Sequence, residues 1–203
     1  MDEETLLSAV EELTKRDDHL REIVARYGPP PLWAREPGFP TLVKIILEQQ
    51  VSLSSAQAAY DKLLTAVDKL TPEAFLTLND VELKQVGFSR QKTLYCRVLA
   101  MSLISGDLDL DSLAWKNDVD VFDALTSMKG IGPWTASIYL LMALRRPDIW
   151  PIGDLALLVS LQEVKGLDSR PTLEEAAAIA EDWVPWRSVA ARLLWHSYLC
   201  RRG

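Results

Sequence analysis

Cysteine and histidine are scarce in this chain: of 203 residues, two are Cys and two are His. Cys96 and Cys200 stand far apart. They make neither a disulfide framework nor a metal-ligand spacing. Without a fourfold cysteine set near the C-terminus, no iron–sulfur cluster is expected. A long apolar run is also missing. The longest charge-free stretch of the most distinctive region, residues 130–144, has 15 residues, short of the roughly 18 expected of a membrane span. The opening Met-Asp-Glu-Glu has no basic or apolar signal region, so no signal peptide is expected. Repeats, low-complexity segments and strand-like alternation beyond a few residues are absent as well. What remains is a chain with 48% hydrophobic residues, enough for a sizeable core in one large domain or two small ones. The expectation is a soluble intracellular protein, a monomer by default.

Positive charge is in short supply overall, with a formal net charge of −7, which argues against a polyanionic partner. The distribution weakens that argument. Residues 1–28 hold eight acids against four bases. Three segments carry bases and no acids: 83–106 (Lys84, Arg90, Lys92, Arg97), 124–147 (Lys129, Arg145, Arg146) and 183–203 (Arg187, Arg192, Arg201, Arg202). Local field decides where a polyanion docks.

The patterning is helical almost throughout. Leu42, Val43, Ile45, Ile46 and Leu47 form one apolar face ending at Gln49-Gln50. Apolar residues recur at helical spacing from Ala56 to Leu70. Thr71-Pro72-Glu73 reads as a cap and first turn. Ser89 to Ile104 predicts a helix stopped near Gly106. Asp118 or Asp120 is a candidate cap for a helix running to about Ser127. Thr135 to Leu144 is apolar on nearly every side and predicts a buried helix. Pro171-Thr172 opens a helix ending near Trp183, and Trp186 to about Arg201 gives the last. Pro29-Pro30-Pro31 is the only strong linker signal.

Two features carry chemistry. Lys129-Gly130-Ile131-Gly132 leaves one helical pattern and enters the next at Pro133. Glycines let backbone approach another molecule closely. A helix N-terminus offers N–H groups and partial positive charge to a phosphate. The same residues also suit an ordinary helix–turn–helix corner with a glycine cap. A weaker turn lies at Val86-Gly87-Phe88-Ser89. Twenty residues after Trp134 comes Asp154, at the start of another helix. Asp there is commonly an N-cap. Pro151 and Gly153 make a restrained approach to it, and Trp150 is placed to supply apolar surroundings. A fixed carboxylate beside a phosphate grip can stabilise positive charge or orient a water. Capping and chemistry can coexist.

Leu125-Thr-Ser-Met-Lys-Gly-Ile-Gly-Pro-Trp-Thr-Ala136, Asp154, Trp183-Val-Pro-Trp-Arg-Ser-Val-Ala190 and Trp195 together resemble the helix-hairpin-helix base-excision glycosylase superfamily. The likeness is to its 3-methyladenine DNA glycosylase II (AlkA-like) branch, the alkylation-repair enzymes. Phe39-Pro-Thr-Leu42 and Glu48-Gln-Gln-Val-Ser52 resemble that family's first core helix and wedge loop. The matches run over roughly residues 38 to 200.

The resemblance implies an all-α fold of two helical lobes lining a cleft, with no N-terminal β-domain. One lobe spans residues 37–145 with its hairpin at 128–134, and the other joins 1–36 to 146–203. It implies Asp154 as the catalytic aspartate. Gly130, Gly132, Trp134 and Lys129 fall to the DNA backbone, Trp134 and Trp195 to the base pocket, and Gln50 to the wedge that fills the gap left by a flipped nucleotide. It implies no catalytic metal and no cofactor, although relatives often hold a monovalent cation at the hairpin. The partner implied is damaged double-stranded DNA. Bifunctional relatives carry a Lys just after the hairpin for Schiff-base chemistry. Trp134 stands there, and Lys129 precedes the glycines, so a monofunctional enzyme is implied. Gly153 stands where some relatives have a second acid and Ile138 where some have an aromatic, so the lesion range is not carried over.

Three other readings remain at this point. One is a non-catalytic hairpin DNA-binding module. Another is a helical protein-interaction domain, which the acidic charge favours. The third is a glycosylase for a neutral base such as uracil, for which no clear donor to the base is visible.

Overall fold

The computed structural model describes residues 1–202, among which every regular element is helical. The chain forms two compact units, one of residues 35–144 and one joining residues 1–34 to those from 145 onward. Among the described residues, no helix is long and apolar enough to cross a membrane.

The unit of residues 35–144 is organised around α3 (Phe39–Glu48), whose Leu42, Val43, Ile45 and Ile46 are fully buried. Around it lie α4 (Leu53–Ala66), α5 (Pro72–Thr77), α6 (Asp80–Val86), α7 (Arg90–Ser105), α8 (Leu110–Leu113), α9 (Asp118–Thr126) and α10 (Pro133–Ile138). Phe39, Phe75 and Phe88 meet in sequence, the first pair edge-on and the second tilted, at ring spacings of 5.8 and 5.6 Å. That pins the loop before α7 to α3 and α5.

Three helical expectations need adjusting. The apolar spacing suggests a helix to Leu70, but α4 stops at Ala66 and Val67 is extended. Leu70 is buried from a loop, so it satisfies the pattern without the helix. The cap of α9 is Asn117, whose side chain accepts from the Asp120 N–H. Asp118 and Asp120 therefore sit in the first turn, where their charge faces the positive helix end. Finally, the buried helix after the hairpin changes pitch. A π turn spans Tyr139–Ala143, closed by Leu144 N–H donating to the Tyr139 carbonyl at 3.1 Å. The Tyr139 hydroxyl accepts from the Gly38 N–H at 3.0 Å, and burial pushes it up to about 12.

The other unit contains α1 (Glu3–Arg16), α2 (Asp18–Tyr27), α11 (Leu155–Lys165), α12 (Leu173–Ala180) and α13 (Arg187–Cys200), with a 3₁₀ turn at Glu181–Trp183. α13 is its central helix, with nine buried residues, and it packs on α11, α2 and α1. Burial of Leu13, Leu20, Leu161, Leu193 and Leu194 supplies roughly 1.5–3 kcal/mol per side chain.

Asp17 ties the ends of this unit together. One carboxylate oxygen caps α2 through His19 and Leu20. The other accepts from Lys165 Nζ and Trp183 Nε1, both at 2.8 Å. Burial opposes the charge on Asp17, but those two donors outweigh it and hold the carboxyl below its ordinary value. Its contribution is therefore present above the unfolded-state pKa and lost as pH falls through the folded one. Asp17→Ala should cost about 2–4 kcal/mol in urea unfolding, by loss of a cap and stranding of one buried donor and one half-buried one. The gap between wild type and Asp17→Asn should narrow as pH falls below about 4.

Candidate nucleic-acid and catalytic site

The approach to Asp154 is a tight turn. The Asp154 N–H donates to the Pro151 carbonyl at 3.3 Å, and Gly153 takes a left-handed φ of 81° that a side chain would strain. Asp154 is extended and caps α11. Its Oδ1 accepts from the Leu157 N–H at 2.9 Å and from Trp195 Nε1 at 3.2 Å. The acid is half-buried, and Trp195 is 8% exposed. α13 presents Trp195 there because α11 and α13 are registered by Ser160 Oγ donating to the Leu194 carbonyl at 2.7 Å. The capping reading of Asp154 is thus correct, and the cap also holds the carboxylate in one orientation against an indole.

A second indole meets the first. Trp33 packs edge-on to Trp195 at 6.5 Å and to His196 at 6.4 Å. Its backbone is left-handed, φ 48°, uncommon for a bulky residue. The preceding carbonyl, of Leu32, accepts from Arg192 Nε at 2.8 Å, and Arg192 is wholly buried. Burial lowers Arg192 to about 10, so it remains a cation at neutral pH. Sequence reasoning missed Trp33, since a residue after a proline run belongs to no periodic pattern. Its one signal was a large aromatic in the only linker. Trp150, by contrast, packs on Trp183 at 5.7 Å rather than being shown beside Asp154.

The hairpin lies in the other unit, between α9 and α10. Ile131 N–H donates to the Met128 carbonyl at 3.1 Å, turning the chain. The two glycines do different work. Gly130 has φ 95°, and a Cβ there would meet the Tyr95 ring at 2.1 Å, so it packs inward. Gly132 has φ −90° and open space around it, leaving the backbone accessible from outside. It caps α10 with no side-chain bond. Trp134 is half-buried in the first turn, and Lys129 is exposed. Gln50, exposed with φ 57°, follows α3. The neighbouring Gln49 donates from Nε2 to the Gly130 carbonyl and to Thr135 Oγ1, each at 2.9 Å.

The three basic segments are not equivalent. In the last one every arginine is engaged internally. Arg187 pairs with Asp148 and Glu181. Arg201 and Arg202 pair with Glu163. Arg192 is buried. That segment adds little external field, contrary to its composition. In the first, Arg97 pairs with Asp80 and Lys92 binds backbone carbonyls. The exposed cations among these segments include Lys84, Arg90 and Lys129.

The profile of the HhH-GPD superfamily base excision DNA repair proteins matches residues 43–186. The chain belongs to that family. The match takes in the turn at Gln50, the hairpin and Asp154. Among curated HhH-GPD relatives, a DNA-3-methyladenine glycosylase of Bacillus subtilis is 32% identical over 123 residues, 61% of this chain and 41% of that one. YfjP of the same organism, given the same name provisionally, is 29% identical over 77% of this chain and 57% of its own. The chain thus spans about half the length of these two relatives. DNA-3-methyladenine glycosylase 1 of Schizosaccharomyces pombe is 26% identical over 93% of this chain and 83% of that one. The solved structure of a Bacillus halodurans DNA-3-methyladenine glycosidase has a TM-score of 0.77 at 28% identity, over 94% of this chain and 88% of that one. The S. pombe enzyme Mag1, solved with abasic DNA, matches in fold with a TM-score of 0.85 at 24% identity, over 93% and 95% of the two chains.

The two glycines give a direct test of the hairpin. Gly130→Ala should destabilise the protein by about 2–4 kcal/mol, from left-handed strain and collision with Tyr95. Gly132→Ala should change stability by less than about 0.5 kcal/mol. Thermal melts distinguish them; equal losses would mean the hairpin packs differently.

Proposed function

We propose that this protein is a DNA glycosylase that flips alkylated bases of the 3-methyladenine and 7-methylguanine type out of duplex DNA and hydrolyses their N-glycosidic bond. The observation that carries this reading is the Asp154 carboxylate held by both the Leu157 N–H and Trp195 Nε1, in a chain of this family. A base inside a duplex is out of reach, so the nucleotide must be extruded, at a cost of a few kcal/mol, about least for a damaged base. Methylated purines of this type carry positive charge and leave readily, so no general acid is needed. The remaining demand is for negative charge near C1′ as the sugar becomes oxocarbenium-like, and for a positioned water. A preoriented carboxylate meets both. The indoles of Trp195 and Trp33 offer a cationic base stacking and cation–π attraction.

The hairpin would grip a phosphate through backbone N–H groups around Gly132 and the start of α10, with Lys129 adding charge, and Gln50 would fill the vacated stack. A monovalent cation at the hairpin would need its carbonyls. Those of Met128 and Gly130 already accept from Ile131 N–H and Gln49 Nε2, which leaves each one further lone pair. The residues present therefore fit such an ion, whose role would be to orient the phosphate. Because Trp134 replaces the Schiff-base Lys, the enzyme should leave an abasic site uncut.

The test is base release from methylated DNA by wild type and Asp154→Asn, with and without alkali. Asparagine retains helix capping, so folding and DNA binding should persist while release falls by about 100- to 1000-fold. Strand breaks should appear only after alkali. Salt-dependent binding by both proteins with no base release from either would make the chain a DNA-binding module and Asp154 a cap alone.

A further inference from the structure

Gln50 stands on a turn that needs external support. Its φ of 57° is uncommon outside glycine, and its side chain is exposed. Two side chains hold the turn. Lys92 Nζ donates to the carbonyls of Leu47 and Gln49 at 2.7 and 2.9 Å, a cation placed at the negative end of α3. Burial keeps its pKa below the ordinary lysine value. Gln49 ties the turn to the hairpin, with Nε2 on the Gly130 carbonyl and on Thr135 Oγ1. A carbonyl only accepts, so the amide nitrogen must face Gly130, and both its protons are used.

The hairpin and the turn also share a base. α7 carries Lys92, which holds the turn, and three residues on it carries Tyr95, whose ring lies under Gly130. Tyr95 is itself held by Gln91 Nε2 donating to its hydroxyl.

We propose that Gln49 and Lys92 are positioning residues that join the wedge turn and the phosphate-gripping hairpin into one rigid body, so that seating the phosphate fixes how deeply Gln50 enters the duplex. This rests on the glycosylase reading and deepens it. Extrusion works against stacking and pairing, and a turn free to recoil would lose that work. Neither residue touches the reacting atoms. Their effect should appear in extrusion and in the rate after binding, and should leave affinity for intact duplex alone.

The experiment uses duplex DNA with 2-aminopurine beside an abasic-site analogue. It follows fluorescence in stopped flow, alongside single-turnover release of 7-methylguanine, for wild type, Gln49→Leu, Gln50→Ala and the double variant. Gln49→Leu should bind intact duplex within about 2-fold of wild type. Its extrusion and release rates should both fall about 10-fold, with KM unchanged. On the Gln50→Ala background the same change should have no further effect, because there is no wedge left to position. Thr135→Val removes one of the two bonds and should give a smaller loss in the same rates, and Lys92→Met a comparable loss. These serve if Gln49→Leu does not fold. A lowered melting temperature with wild-type extrusion, or a Gln49→Leu effect that persists in full without Gln50, overturns the proposal. Should wild type give the fluorescence change yet release no base, the glycosylase reading fails while the positioning role is still decided by the variants. Should wild type give no fluorescence change, Gln50 is no wedge and the positioning role falls with it.

Discussion

The candidate chemistry depends on one carboxylate oxygen. Oδ1 of Asp154 ends the exposed backbone of α11 and takes the indole N–H of Trp195 as well. A carboxylate with a single weak anchor would rotate, and a charge that rotates stabilises a forming cation poorly, since reorganisation must then occur during the reaction. Both donors come from rigid elements. Leu157 is in the first turn of the helix that Asp154 caps, and Trp195 is on the central helix of the unit. The Ser160–Leu194 bond between those helices and the buried leucines along them are therefore part of the site, although none carries polarity toward it. Arg192 extends the same logic: wholly buried, it fixes the Leu32 carbonyl and with it the strained backbone that presents Trp33 to Trp195.

The unit of residues 35–144 solves a different problem with backbone geometry. A surface that grips phosphate must leave N–H groups uncovered while the loop bearing them stays fixed. In the proposed grip, a division of labour between two glycines would meet both needs, since Gly130 packs against Tyr95 and Gly132 stays open. Binding of that kind would also reconcile a DNA-repair family with a net charge of −7. Few free cations are needed when helix ends and a handful of exposed lysines and arginines supply the field. Much of the chain's positive charge is spent on internal pairs such as Arg187–Asp148.

Most of the fold was legible because helices announce themselves through period and caps. Thr71 caps as its sequence suggests, Ser89 and Thr172 stand as caps at the helix starts they mark, and the hydrophobic run after the hairpin is buried. Errors arose where a loop residue satisfied a helical period, as at Leu70, or where two polar neighbours competed for one cap, as at Asn117 and Asp118. The π turn at Tyr139 left no mark, because its apolar residues suit either pitch. Family and hairpin could be read from a short, dense set of glycines and tryptophans. The supports could not. Gln49, Lys92, Tyr95 and Trp33 act through long-range hydrogen bonds and ring contacts, with separations such as 81 residues between Gln49 and Gly130, and local pattern carries no information at that range.

The proposed role of Asp154 is to present a fixed negative charge to a developing sugar cation. The sharpest experiment compares DNA that carries a cationic pyrrolidine in place of the damaged nucleoside with DNA that carries the neutral tetrahydrofuran analogue. Wild type should bind the cationic analogue at least about 100-fold more tightly, as expected of a transition-state mimic, and Asp154→Asn should lose that preference while binding the neutral analogue unchanged. Equal affinity of wild type for the two analogues, or a preference that survives in Asp154→Asn, would contradict the account.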